Sequence, residues 1–342
     1  MKEEKQENPF RTKRLFIGRK GILRELEEDL SSSAYYEPKA VGLVGMKGIG
    51  KSFILEKVEE MAEKRRFMVI HLAMQKKEML DERLIRETAN SAMHMLVEIP
   101  SKNNREYFEH IIEGKMQNYE KIEKIYDKIK NNVHGILFLI ENCNEIRETA
   151  KIDKMLKGVM RNKRPFMFVF SGTCSNKIYL DKKIKIELFT EQETRSYMEV
   201  YLSGTNIKMG EECIKTIYRD SEGHPFMIWE ICSILYGKLR ENEKIITQGH
   251  YLLHLPSIMA KLSKEMFDKV YYELSESERE LLRLLAEKEK SAKEISEESK
   301  KPMNTVTTLL LRMEKKGSII RVKRGIYRIF NKLYGKYVLE HS

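Results

Sequence analysis

Five apolar runs of strand length recur along the chain, at residues 40–44, 67–72, 135–140, 165–170 and 184–188, with helix-period stretches between them. The first four are continuously apolar, as strands covered on both faces must be, and strands alternating with helices imply a parallel sheet. The pattern therefore predicts an α/β class of nucleotide-binding layout. Between the second and third runs, residues 79–130 are charged and helical in period. Pro100 and the polar stretch 101–104 divide them into two helices. Their Lys/Glu runs read as solvated faces over a buried stripe of Ile122, Ile125 and Ile129.

The strand signal stops after residue 188. Thr190 is a fitting N-cap ahead of Glu191 and Glu193, and helices follow to about residue 270. Three shorter helical patterns (276–289, 292–298 and 303–316) precede two β-like runs, 318–322 and 326–330, joined near Arg324 and Gly325. Three helices and a hairpin predict a winged helix-turn-helix. The expected division is an α/β domain over 1–189 with a helical insertion at 79–130, a helical lid over 190–270 and a winged helix over 271–342.

Composition sharpens this picture. A chain of 342 residues with 41% hydrophobic content can bury a core in each of two or three domains, which excludes collagenous, disordered and disulfide-stapled classes. A charged fraction of 34% with only 18 Gly and 7 Pro fits helices with short connections. No window approaches ~20 apolar residues, so neither a signal peptide nor a membrane span is expected, and the expected location is cytoplasmic. Cys143, Cys174, Cys213 and Cys232 are far apart without metal-ligand spacing, and the expectation is four reduced structural thiols. Trp229 and the abundant Met and Tyr need only packing.

Gly45-Met46-Lys47-Gly48-Ile49-Gly50-Lys51-Ser52 matches G-x-x-x-x-G-K-[ST], directly after an apolar strand and before a helical run that opens with Phe53. Glycines let the backbone curl so that successive N–H groups face a phosphate at the positive end of a helix. Lys51 reaches the outer phosphates and the Ser52 hydroxyl ligates Mg²⁺. A carboxylate for the metal should stand at the end of a neighbouring strand, and Glu141 is the one on offer. Asn142 follows it where hydrolytic enzymes often carry a Glu. An amide orients water but cannot accept its proton, so general-base assistance of about 10²–10⁴-fold is missing unless Glu145 reaches in. The expectation is ATP (or ADP) with Mg²⁺, bound tightly and hydrolysed slowly. Ser171 ends the next strand, with Gly172 and Thr173, and either senses the γ-phosphate or simply opens a turn. The N-K-x-D spacing that grips guanine is absent around Asn176, which favours adenine.

Here the residues resemble a family. Phe16-Ile17-Gly18-Arg19 is similar to the F-[IV]-G-R segment opening archaeal-type ATPases of the STAND and AAA+ superfamily, whose relatives include origin-recognition initiators. Gly223-His224-Pro225 is similar to their G-x-P motif. The resemblance implies that Phe16, Gly18, Arg19, His224 and Pro225 line the nucleotide. It also implies a strand order of 5-1-4-3-2, an ATP-dependent conformational switch and, often, oligomerisation. Two departures stand out. Glu141-Asn142 replaces an acidic dyad, and residues 174–183, where relatives often place an arginine finger, hold no arginine. Arg161 and Arg164 are the nearest substitutes.

The net charge of +11 favours polyanionic partners, and its location matters more than its size. Between Ser299 and Lys336 stand Lys300, Lys301, Arg312, Lys315, Lys316, Arg321, Lys323, Arg324, Arg328, Lys332 and Lys336 against the single acid Glu314. The rest of the chain is nearly neutral. On the third helix Val306, Leu309, Leu310 and Met313 form the buried stripe, leaving Asn304, Thr305, Thr307 and Thr308 at the end that enters a major groove. Arg321, Lys323 and Arg324 occupy the wing, and with Lys301 and Arg312 complete a candidate surface for double-stranded DNA. The function this predicts is an ATP-binding switch that couples nucleotide state to DNA binding, with slow or partner-stimulated hydrolysis. A motor ATPase differs from it by turnover. A signalling scaffold whose winged helix docks protein differs by the absence of DNA binding. A small-molecule kinase would want an arginine-rich lid.

Overall fold

The continuous apolar runs of the third and fourth strands produce strands that are buried along their length. The computed structural model describes residues 7–12, 15–75, 79–96, 102–172 and 178–341. In it β1 (Lys39–Val44), β2 (Phe67–Ala73), β3 (Gly135–Glu141), β4 (Phe166–Ser171) and β5 (Lys182–Lys185) form one parallel sheet ordered β2-β3-β4-β1-β5. Every residue of β4 and all but the last of β3 are buried, as layers on both faces require. Phe138 and Phe168 stack across them at 4.5 Å between ring centres. The fifth apolar run is displaced: β5 covers lysine-rich residues 182–185 instead of 184–188, because register with β1 sets Lys182 opposite Val41. Charged side chains are what an edge strand carries to discourage further pairing. Lys182 is held there by Glu25 and Asp29, each at 2.7 Å.

Chain order begins with a one-turn helix, α1 (Pro9–Thr12), which belongs to a second compact unit described below. The sheet unit comprises residues 19–45 and 50–186. Its helices are α2 (Lys20–Ala34), α3 (Lys51–Lys64), α4 (Leu80–Met95), α5 (Lys102–Glu113), α6 (Asn118–Ile129) and α7 (Thr149–Arg161). The charged insertion thus holds three helices where two were expected. The extra break follows Gly114, and Gln117 caps α6 in a reciprocal box with Glu120. Ile122, Ile125 and Ile129 are buried as the period predicts. Pro100 lies outside the described residues.

The second unit groups residues up to 18 with 46–49 and 187 onward. Thr190 caps α8 (Glu191–Leu202), its hydroxyl accepting the Glu193 N–H at 3.2 Å. Next come α9 (Glu211–Ser221), α10 (Pro225–Gly237), α11 (Gln248–Leu262) and α12 (Asp268–Tyr272), with a short strand pair, β6 (Lys208–Met209) and β7 (Ile245–Ile246). Proline opens α10 where its missing N–H has no intrahelical partner to lose. Trp229 packs against this core and donates to the Phe10 carbonyl, with the Arg11 guanidinium 5.2 Å from its ring centre.

The last part of this unit holds α13 (Glu276–Leu285), β8 (Lys290–Ser291), α14 (Ala292–Ser299), α15 (Met303–Lys316), β9 (Ile319–Lys323), β10 (Ile326–Ile329) and α16 (Lys332–Glu340). Its antiparallel sheet is ordered β8-β10-β9, and Gly325 turns the hairpin at φ 77°. Val306, Leu309, Leu310 and Met313 are buried on α15. One hydrophobic cluster runs across the boundary expected near residue 270: Phe267 meets Tyr334 at 5.3 Å, and the Tyr337 hydroxyl donates to Asp268 at 2.6 Å.

Cys213 and Cys232 are free and buried, as expected. Cys143 is disulfide-bonded, which overturns the expectation of four reduced thiols. Spacing along the chain does not report a pairing that tertiary structure creates; Cys174 lies outside the described residues. Among the described residues no helix is long and apolar enough to cross a membrane.

Candidate nucleotide site and basic surface

β1 ends at Val44 and α3 begins at Lys51, so residues 45–50 must reverse the chain in six positions. Gly48 and Gly50 make this feasible with φ of 74° and 97°, a region L side chains avoid. Space demands glycine as well. A Cβ on Gly48 would sit 2.8 Å from His224 Cε1, and one on Gly50 would sit 2.7 Å from Arg19 Nη1. The Ile49 side chain is buried and anchors the loop.

Lys51 Nζ donates to the Gly45 carbonyl at 2.8 Å. Burial lowers its pKa to about 8, and the nearby Arg19 charge acts in the same direction against the opposing Glu141. A cation held so poorly solvated gains from an anionic ligand. The Ser52 hydroxyl donates to Glu141 Oε2 at 2.5 Å. Two hard oxygens converging at the start of α3 suit Mg²⁺, whose adjacent ligands at ~2.0–2.1 Å stand about 2.9 Å from each other, so a small separation of this pair would admit the ion. Ser52 and Glu141 are thus the residues that would hold it.

His71 belongs to this cluster and was not singled out from the sequence. Its Nε2 is 3.0 Å from Glu141 Oε1 and its Nδ1 is 2.9 Å from Glu59 Oε2. Ionised carboxylates only accept, so a carboxylate at each ring nitrogen favours the doubly protonated ring. Accordingly the His71 pKa is raised, chiefly by the Glu141 hydrogen bond, while His71 chiefly lowers that of Glu141. The signal was a polar residue inside an apolar strand: β2 and β3 pair Ala73 with Glu141 and His71 with Leu139, so positions 71 and 141 share a sheet face.

The other predicted residues divide. Ser171 is buried at the end of β4, opposite Leu43 of β1, beside the strand that feeds the loop. Asn142 has φ 56° and its amide donates weakly to the Met74 carbonyl at 3.4 Å, while Glu145 accepts from Asn144. Arg19 caps α2 at φ 56°, with Gly18 before it at φ 76° and Phe16 half-buried. Thr173 and Asn176 lie outside the described residues. The substitute arginines stand away from the cluster: Arg161 and Arg164 precede the first residue of β4, at the strand end opposite Ser171, and Arg164 is engaged by Asp127 through two 3.1 Å bonds.

In the second unit, His224 is buried and its Nε2 lies 2.9 Å from the Lys47 carbonyl of the loop. A carbonyl only accepts, so the proton is on Nε2. Pro225 then opens α10. Gly223 is required, since φ is 75° and a Cβ would meet the Phe189 carbonyl oxygen at 2.0 Å. Glu222, also left-handed at φ 51°, was not anticipated: it binds Arg328 at 2.6 Å and accepts the Lys332 N–H at 3.3 Å.

Ion pairing thins the basic surface. Lys301 is held by Glu280 at 2.8 Å, Lys316 by Glu278 at 2.6 Å and Arg321 by Glu314 at 3.1 Å. Among the described residues Arg312, Lys315, Lys323 and Arg324 form no ion pair, and all four are exposed. Asn304, Thr305, Thr307 and Thr308 are exposed as well.

No protein-family model matches the chain, and no curated protein does. Among solved structures it is similar to a Walker-type ATPase of Pyrococcus abyssi, with 13% identity, a TM-score of 0.68 and coverage of 97% of this chain and 99% of that one. The RuvB Holliday junction branch migration motor of Thermotoga maritima is 14% identical, with a TM-score of 0.48 over 96% of this chain and 98% of that one. A STAND protein with a tetratricopeptide repeat sensor from Pyrococcus horikoshii is 15% identical, with a TM-score of 0.43 over 96% of this chain but 43% of that one. The first likeness shows the fold: this chain is built as a Walker-type P-loop ATPase is.

Proposed function

We propose that this protein is an ATP-binding switch of the AAA+/STAND type whose nucleotide state controls DNA binding by a C-terminal winged helix. The observation that carries the nucleotide half is the convergence of Ser52 and Glu141 at 2.5 Å beside a glycine-shaped loop whose lysine has a lowered pKa. A bound Mg²⁺ would supply charge neutralisation for the polyphosphate and a template for its oxygens. The chain's own residues do the rest. Lys51 exchanges the Gly45 carbonyl for phosphate oxygens, the loop amides cradle them, and His71 keeps Glu141 ionised and oriented. By the resemblance Phe16, Gly18 and Arg19 would line the nucleotide, and Ser171 at the end of β4 would sense the terminal phosphate.

Slow turnover follows from the same residues. Asn142 follows Glu141 in the chain position where hydrolytic enzymes often carry a Glu, and an amide cannot take a proton, so about 10²–10⁴-fold of rate would be missing unless Glu145 reaches in. Partner stimulation would then come from a group supplied in trans.

His224 supports the coupling half. It grips the Lys47 carbonyl, and Glu222, two residues earlier, grips Arg328 and Lys332, so a change in the loop peptide has a route of four residues to the terminal module. We read residues 190–270 as the lid and 271–342 as the winged helix, with α15 as the recognition helix for double-stranded DNA. Arg312, Lys323 and Arg324 act on phosphate, and Lys301 and Arg321 join them only if they leave Glu280 and Glu314.

The test is nucleotide binding and turnover with and without duplex DNA. MgATP should bind, turnover without a partner should stay below about 1 s⁻¹, and Lys51→Ala should weaken the binding and abolish the turnover. Faster partner-free turnover lost in that variant would make the protein a motor instead.

A further inference from the structure

The outward face of the first two turns of α15 has spent most of its polar groups on the helix itself. The Thr307 hydroxyl donates to the Met303 carbonyl at 2.8 Å, and the Thr308 hydroxyl donates to the Asn304 carbonyl at 2.9 Å. Asn304 Oδ1 accepts the Thr305 backbone N–H at 2.8 Å and the Thr305 hydroxyl at 3.4 Å. With each hydroxyl turned back, tetrahedral geometry at Cβ leaves the threonine methyl as the group that faces away from the helix axis. Beside the methyls lie the Met303 thioether, 44% exposed, and the Asn304 NH₂ donors, and one turn further Leu311 is 42% exposed.

Major-groove chemistry sorts base pairs by such groups. Guanine is read by the paired N–H donors of an arginine, or by a lysine, placed on N7 and O6, whereas thymine offers a 5-methyl beside its O4 acceptor. Residues 303–311 contain neither arginine nor lysine. Lys301, just ahead of them, is held by Glu280 at 2.8 Å. Methyls and an amide donor fit the thymine edge and lack the partner that guanine requires. The positive charge needed to hold a duplex is present but displaced: Arg312 and Lys315 follow on the same helix, and Lys323 and Arg324 stand at the hairpin. That arrangement separates phosphate attraction from base contact.

We propose, on the reading of this module as DNA-binding, that α15 selects duplex DNA by packing Thr305, Thr307 and Thr308 against thymine 5-methyl groups. One methyl removed from water is worth ~0.8 kcal/mol, which is about fourfold in affinity per contact.

The experiment compares four duplexes at fixed low salt with the full chain: alternating dA-dT, alternating dA-dU, which lacks only the methyl, alternating dG-dC, and dG paired with 5-methyl-dC, which restores a methyl at the same edge. Binding should be at least about fourfold tighter to dA-dT than to dA-dU, and 5-methylation should tighten the dG-dC duplex. Thr307→Ser combined with Thr308→Ser keeps the hydroxyls and deletes two methyls. It should shrink the dT/dU ratio while leaving the salt slope unchanged. Equal affinity for dA-dT and dA-dU, with steep salt dependence intact, overturns the methyl reading and leaves DNA binding standing. No binding to any duplex at low salt removes the DNA reading itself and this inference with it.

Discussion

The Glu222 carboxylate lies 2.6 Å from the Arg328 guanidinium, and its other oxygen receives the Lys332 backbone N–H at 3.3 Å. The preceding Asp220 carbonyl accepts from Asn331 at 3.0 Å, and two residues after Glu222 the imidazole of His224 reaches the Lys47 carbonyl. One five-residue segment therefore touches both the phosphate loop and the terminal module. Its backbone is fixed by two consecutive left-handed residues, Glu222 and Gly223.

If that segment transmits nucleotide state, Glu222→Gln should uncouple without unfolding. The ion pair is partly exposed, so its loss should cost about 1 kcal/mol or less of stability. The ratio of DNA affinities with and without ATP should fall toward one, and Arg328→Met in the Glu222→Gln background should add little further change, since the two act through one contact. Fluorescence anisotropy on labelled duplex in each nucleotide state measures this. An unchanged ratio in both variants would place the coupling elsewhere.

Gly223→Ala should be far more damaging than its size implies. A Cβ there would stand 2.0 Å from the Phe189 carbonyl oxygen at φ 75°, so either the turn or the start of α8 must move. The expected cost is on the order of 2–4 kcal/mol, read by denaturant unfolding of the second unit. A midpoint equal to that of the unmutated chain would contradict the turn geometry.

His71→Gln should weaken metal binding by about tenfold, the usual scale for a partner that orients a ligand, while ATP without metal binds as before. Mg²⁺ titration at constant nucleotide separates the two. In the nucleotide-free protein the same change should alter the pH profile of stability. Because the folded His71 pKa is raised, its contribution is fully present below the unfolded value near 6.5 and is lost as pH rises through the folded value. Unfolding midpoints across that window should slope in the wild type and flatten in the variant.

Lys51 has the opposite displacement, to about 8, so the free site loses its proton at a pH where an ordinary lysine keeps it. Burial therefore costs stability below pH 8, and that cost is relieved as pH rises from 8 toward the ordinary value. Polyphosphate binds the protonated form, so ATP affinity should fall about tenfold per pH unit above 8, with uptake of one proton on binding. Calorimetry in buffers of different ionisation enthalpy reports the proton directly. A flat affinity from pH 7.5 to 9.5 would show that Lys51 is not the titrating group.

Legibility in the sequence followed the range of the forces involved. Burial along β1, β3 and β4 is written in consecutive residues, and so is the phosphate loop, whose spacing is a backbone requirement. The edge strand slipped by two residues because its position depends on register with β1, not on its own hydrophobicity. A third insertion helix was hidden because Gly114 and the Gln117–Glu120 cap sit in an otherwise uninterrupted charged period. His71 and Glu222 escaped because each works through a partner distant in sequence, Glu141 in one case and Arg328 in the other. Lys301 and Arg321 counted as surface charge until Glu280 and Glu314 turned out to face them.

Titration of ATP with Mg²⁺ into the wild type and Lys51→Ala, followed by calorimetry, bears most directly on the central claim. The site described here predicts saturable one-to-one binding, weakened by roughly 10–100-fold when the charge-assisted contact of Lys51 is deleted. An absence of heat and of any competition at millimolar nucleotide, or identical affinity in the two proteins, would contradict it.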